Sequence, residues 1–237
     1  MTPIEEASPR RTARIAATWY LLEFLTGGFA ISVAIKLTAG GDASATATRI
    51  LANELLFQLG VAANLVQFAC YVAVTGLFYQ LFKPVNERLS LLAAFFSLVG
   101  CTIGAVSCLF ELAPMTVLRG SPYLRMFTVE QLQALALMFL NLYRQLFNMS
   151  FVFFGCYCLL IGYLILRSTF LPRILGAGMV VTGLGWLTYL WPPLTHVVSP
   201  YIVAVGLGEV FLVAWLLVAG VNAERWKEQA GAAPLSR

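Results

Sequence analysis

The sequence predicts an all-α polytopic membrane protein, one bundle of six transmembrane helices with both termini cytoplasmic and with outer interfacial helical segments. Three observations lead there. Of 237 residues, 60% are hydrophobic and 11% charged, with a mean hydropathy of +0.83; an ordinary soluble domain is about 45–50% apolar and about 25% charged. Six apolar runs reach the roughly 20 residues that a bilayer crossing requires. These runs are continuous, as membrane helices are, and lack the alternation of barrel strands. The composition excludes a soluble globular fold, a disordered chain, a coiled coil and a secreted disulfide scaffold. The net charge of +4 comes without a dense basic patch, which excludes a nucleic-acid partner.

The first run covers residues 16–35, between Arg14 and Lys36. It is longer than a signal-peptide core, contains Glu23 and precedes five further runs, so it reads as a retained helix. The second covers residues 55–82 and ends at Lys83-Pro84; the third covers 89–113 and ends at Pro114. The fourth lies between Arg144 and Arg167, the fifth covers 174–191 before Pro192-Pro193, and the sixth covers 201–221. A cytoplasmic tail is expected over residues 1–13, the membrane domain over 14–226 and a second cytoplasmic tail over 227–237.

Orientation follows the distribution of Lys and Arg. The side shared by the termini carries Arg10, Arg11, Arg14, Lys83, Arg88, Arg167, Arg173, Arg225, Lys227 and Arg237. The other side carries Lys36, Arg49, Arg119, Arg125 and Arg144. The excess assigns the first side to the cytoplasm of a cell whose inner (plasma) membrane holds the protein. Trp19, Tyr20 and Trp226 near one boundary, and Trp191 and Tyr201 near the other, suit the headgroup level.

Two outer segments read as helix. Residues 43–54 are mildly amphipathic and lead into the second run. Thr128-Val129-Glu130-Gln131 has the pattern of a capping box, with Thr128 as cap and Gln131 reaching back. A helix from there to Arg167 would be about 58 Å long, against a bilayer core of about 30 Å. It must project outward or bend near Asn141–Asn148, and an outer interfacial helix joined to the fourth span is the expectation. No internal repeat is visible, and the paired interrupted spans of a repeat-built carrier are missing.

A set of short stretches resembles a known family: Phe153-Phe154-Gly155, Gly162-Tyr163-Leu164, Arg167-Ser168-Thr169-Phe170-Leu171-Pro172-Arg173-Ile174-Leu175-Gly176, Gly208-Glu209, Trp215-Leu216-Leu217 and Gly220-Val221-Asn222, with echoes at Arg14-Ile15-Ala16 and Lys83-Pro84-Val85-Asn86. Together they resemble domain of unknown function 4386, a bacterial integral-membrane family, over the chain apart from its tails. The resemblance implies an inner-membrane protein and no particular activity. At a position where the family commonly carries His, this chain has Tyr157. Read physically, Pro172 suits the first turn of the fifth span. Gly176, Gly178, Gly183 and Gly185 let another helix come close.

Polar residues inside the bilayer are the candidates for chemistry, because each is costly there. Glu23 and Glu209 lie about 14 Å and about 12 Å from opposite boundaries, and Asn64 about 15 Å in. Gln67 stands three residues after Asn64, on the same helix face. With Asn148 they make a candidate ligand- or ion-binding layer: Glu23, Asn64, Gln67, Asn148 and Glu209. Glu54, Glu111 and Arg144 share a depth near the outer boundary, where Arg144 can pair with either acid. They form either a structural rim or the mouth of a cavity leading to that layer.

Metal and cofactor chemistry are not expected. Cys70, Cys101, Cys108, Cys156 and Cys158 fall in apolar spans without ligand spacing, and read as buried thiols. His196 is the only imidazole and lies after Trp191-Pro192-Pro193. A serine or zinc intramembrane protease needs more than that.

Three function classes follow. One is a protein binding or transporting a small solute, a proton or a cation through the carboxylate and amide site. The second is a structural or partner-binding protein, joined to itself or to another protein through its small-residue faces, in which neutral carboxyls serve as hydrogen-bonding glue. The third and weakest is an intramembrane enzyme acting on a lipid-soluble substrate. The lipid bilayer is a partner in all three.

Overall fold

The computed structural model describes residues 8–120 and 122–232. Among them the regular structure is helical throughout: α1 (Pro9–Leu37), α2 (Ala43–Ala52), α3 (Glu54–Phe82), α4 (Glu87–Leu118), α5 (Val129–Arg167), α6 (Arg173–Leu187), α7 (Pro192–Val198), α8 (Ile202–Val218) and α9 (Ala223–Ala232). Single 3-10 turns stand at Pro122–Leu124, Thr188–Leu190 and Ser199–Tyr201. The fold is an all-α polytopic membrane bundle. Five helical stretches are long and apolar enough to cross a membrane: Pro9–Leu37, Glu54–Phe82, Glu87–Leu118, Val129–Arg167 and Arg173–Leu190. A sixth candidate is a bent pair, in which Ala204–Val218 meets Ala223–Ala232 at 105°. With 17 residues, α8 is at the lower bound of about 17 for a spanning helix.

Helices α1, α4 and α5 outrun the predicted spans, because lipid thickness limits burial and not helix length, whereas α6 and α8 end short of theirs. The first begins at Pro9, where the missing N–H is harmless and the Ser8 carbonyl accepts from Arg11 and Thr12. In α4, Pro114 sits inside the helix, which continues to Leu118. The capping box at the start of α5 is formed. The Gln131 amide N–H donates to Thr128 Oγ1 at 3.3 Å, and the Thr128 N–H donates to Gln131 Oε1 at 2.9 Å. From there α5 runs unbroken for 39 residues, through Asn141–Asn148 to Arg167. Its first turns have a protein partner as well as solvent or lipid: Leu132, Leu135 and Phe139 pack on Val117, Leu124 and Ala136. The helix predicted over 43–54 is α2, capped by Asp42, whose Oδ1 accepts from the Ala45 N–H at 2.9 Å.

The described residues form two compact units. One is made from those of Met1–Leu21, Cys70–Gly100 and Met149–Arg237. Its core is a run of edge-to-face rings, Tyr20 on Tyr71 and Phe78, and Phe78 on Phe82. Such contacts exceed plain area burial by about 0.5–1.5 kcal/mol per pair. Glycines set the helix spacing. A Cβ on Gly183 would lie 2.8 Å from the Gly155 carbonyl oxygen, and one on Gly176 would lie 2.8 Å from that of Gly162. The predicted small-residue face of α6 therefore packs on α5, with Gly178 turned to Gly208 of α8. Beyond Gly220, at φ +67°, α9 docks on the same unit: Trp226 Nε1 donates to the Leu81 carbonyl at 2.8 Å. The expected tail over 227–237 is thus helical as far as Ala232, and residues 233–237 lie outside the described ones.

The other unit is made from Leu22–Ala69 and Cys101–Asn148. Gly60 leaves room for Val33, and Gly104 for the ring of Phe68. Phe68 meets Phe147 edge to face.

Candidate functional site

Among the described residues three carboxyls are buried, those of Glu23, Glu111 and Glu209. Glu111 of α4 lies in the second unit and shares a donor with a phenol. Asn64 of α3 donates from Nδ2 to Glu111 Oε2 at 2.8 Å and to the Tyr143 hydroxyl oxygen, on α5, at 2.9 Å. An amide nitrogen carries two hydrogens, so both bonds form together. All three residues are buried. Glu111 and Tyr143 line a cavity of about 50 Å³, whose wall also includes Arg144, Leu140, Phe57 and Leu37. One water needs about 10–15 Å³ of such space, so the cavity has room for a few waters. The arrangement can hold a carboxyl at fixed distance from a phenol while keeping a face of the cluster open to small species.

Glu23, on the α1 stretch of the same unit, accepts at Oε1 from Gln67 Nε2 at 2.8 Å. Gly27 makes this possible. It lies one turn after Glu23, and a Cβ there would come within 2.7 Å of Gln67 Cδ. The side chains of Asn64 and Gln67, one turn apart on α3, thus serve different carboxyls.

Glu209 belongs to the other unit. Its Oε1 accepts from Cys158 Sγ at 2.9 Å and from Trp186 Nε1 at 3.2 Å, and Tyr20 supplies a further hydrogen bond. The Trp186 indole is held by stacking on Phe151 at a ring separation of 4.6 Å. Among the described residues the hydrogen-bond partners of Glu111 and Glu209 are neutral side chains.

The other candidates lie elsewhere. Asn148 is exposed on α5. Glu54 pairs with Arg119 at 2.6 Å, at a partly exposed position, and the carboxylate raises the guanidinium's already high pKa through that hydrogen bond. Arg144 pairs with neither acid; its Nη2 donates to Asn141 Oδ1, one turn back, at 2.9 Å. A contact within one helix turn needs less ordering than one between helices. Of the expected rim, Glu111 is buried and bonded to Asn64 of the expected layer. Tyr143, Cys158 and Trp186 were not among the candidates. A phenol, thiol or indole in an apolar run carries no sequence signal until a neighbouring helix brings an acceptor to it. Among the described residues no group of three His, Cys, Asp or Glu is placed to hold a metal ion.

The family model described as Domain of unknown function (DUF4386) matches residues 15–220. The chain belongs to that family. The match covers all three carboxyl clusters and stops before α9. An uncharacterised protein of Archaeoglobus fulgidus is 25% identical over 153 residues, which is 63% of this chain and 76% of that protein. No solved structure matches.

Proposed function

We propose that this integral membrane protein binds and passes a small species at its buried carboxyls, and that the species is a proton. The observation that carries this reading is the Asn64 amide bridging the Glu111 carboxyl and the Tyr143 hydroxyl at the wall of the 50 Å³ cavity. That volume suits water and protons and is too small for a solute of many heavy atoms. Arg144 stands in the same wall. Its permanent positive charge opposes a metal cation and stabilises the carboxylate left when a proton departs. In this reading Glu111 takes up and releases the proton, Asn64 keeps its carboxylate oriented, and the Tyr143 hydroxyl, accepting from Asn64, retains its own hydrogen to offer. Glu23 with Gln67 is a second carboxyl–amide pair in the same unit. Both termini are assigned to the cytoplasm of the inner (plasma) membrane on the Lys and Arg count.

A test uses vesicles loaded with a pH-sensitive dye and driven by a potassium diffusion potential. The wild type is expected to acidify them faster than protein-free vesicles, and Glu111→Gln to remove the difference while leaving folding intact. A wild type indistinguishable from empty vesicles refutes the proposal. A second reading, carboxyls as helix-joining glue, is favoured by Glu209, whose Oε1 already receives a thiol and an indole N–H. Under it, the Glu→Gln variants are silent in flux.

A further inference from the structure

The loop between α5 and α6 and the turn between α8 and α9 meet at one end of the first unit. The Asn222 N–H donates to the Phe170 carbonyl at 3.2 Å, and Arg225 Nη1 donates to the Thr169 carbonyl at 3.4 Å. Together they shape a groove of about 630 Å³. Arg10 and Arg225 line it, with Glu224 as the one acidic neighbour. The Arg10 stem lies over Gly220, where a Cβ would come within 3.0 Å of Arg10 Cγ. Both arginines are exposed, so two positive heads against one negative leave the groove electropositive. Several of the stretches that carry the family resemblance, around Phe170-Leu171-Pro172 and Gly220-Val221-Asn222, make its walls.

Trp215 and Ala219 line this groove and also a second one, of about 460 Å³, which follows α6 and α8. The second is apolar. Phe211 and Val218 stand along it, and Gly178 and Gly208 are in its lining where the two helices approach closely. The shared residues join a charged compartment, at the point where α5 and α8 end, to an apolar one beside the candidate spans. A ligand filling both must have an anionic head and a hydrocarbon chain.

We infer that the joined grooves bind an anionic phospholipid, its phosphate between Arg10 and Arg225 and one acyl chain along α6 and α8. Lipid tails are as apolar as the groove, so the chain sets position and the head sets selectivity. A basic residue at a membrane surface favours an anionic lipid by about fivefold, and two by about 25-fold.

The test reconstitutes the full chain in phosphatidylcholine vesicles and follows tryptophan quenching by brominated acyl chains on either phosphatidylglycerol or phosphatidylcholine. Trp215→Phe identifies the component that reports on the site. Phosphatidylglycerol is expected to bind about 25-fold more tightly than phosphatidylcholine at that component. R10Q/R225Q should bring the ratio near one, while R10K/R225K keeps it. Ala214→Phe, at an exposed position in the apolar groove, should weaken both lipids and checks the chain half without touching the arginines. Equal binding of the two lipids by the wild type overturns the inference, as does an unchanged preference in a folded R10Q/R225Q variant. Loss of the preference on adding inorganic phosphate shows that the groove takes the free anion, and overturns the lipid as occupant.

Discussion

Replacing Asn64 by Leu removes a side chain of nearly the same size and leaves two buried acceptors without their donor, Glu111 Oε2 and the Tyr143 hydroxyl oxygen. Interhelical hydrogen bonds in membranes average about 0.6 kcal/mol and reach about 1.7. Two of them lost together therefore cost about 1–3 kcal/mol, the range also expected for orphaning one buried polar group. Glu111→Gln is different, since its amide oxygen still accepts from Asn64, and it should cost less than about 1 kcal/mol. In the double variant the Asn64→Leu penalty should change little, because the Tyr143 bond is lost either way. Reversible unfolding in bicelles, followed by circular dichroism, supplies all four free energies of the cycle. The reasoning is refuted if Asn64→Leu lies within about 0.5 kcal/mol of wild type, the usual scatter of neutral substitutions. It fails equally if Glu111→Gln destabilises as much as Asn64→Leu, for then the carboxylate's charge, and not the shared amide, holds the cluster.

Gly183→Leu should force α5 and α6 apart at Gly155 and destabilise by more than about 2 kcal/mol, an overpacking penalty, in the same assay. Gly28→Ala, with nothing within 4 Å of the added carbon, should be neutral or stabilise by up to about 1 kcal/mol. Trp226→Phe deletes the bond to Leu81 and should raise amide exchange throughout α9 without changing that of α6; unchanged exchange in α9 would show that the helix is held by other contacts. Thr128→Ala removes the cap of α5 at a cost of about 1 kcal/mol, seen as faster exchange in its first two turns, and a protected first turn would mean that the packing of Leu132 and Leu135 suffices by itself.

The sequence made much of the scaffold legible. Runs of apolar residues announce helices because hydrocarbon tolerates no unpaired backbone groups, and α1, α3, α4, α5 and α6 lie where those runs do. The cap of α5 was readable because capping is local chemistry between residues three apart; Asp42 caps α2 by the same chemistry. The glycines of α6 were readable as a packing face, though not as facing α5 and α8 separately. The short helix α7, which carries His196, and the docking of α9 were not readable, because neither depends on a long apolar run.

Within the candidate site, the residue types were determined by the sequence alone: carboxyls and amides at depths where a polar group is expensive. Their partnerships were decided by tertiary structure. Glu111 meets Asn64 and not Arg144, Glu54 meets Arg119, and Gln67 turns to Glu23 across the space left by Gly27. The physical reason is helix rotation. A run of apolar residues specifies that a helix crosses and roughly how deep each residue lies, but apolar faces all suit lipid equally. Which face turns inward is settled by how neighbouring side chains interlock, and that interlocking exists only once the helices are together.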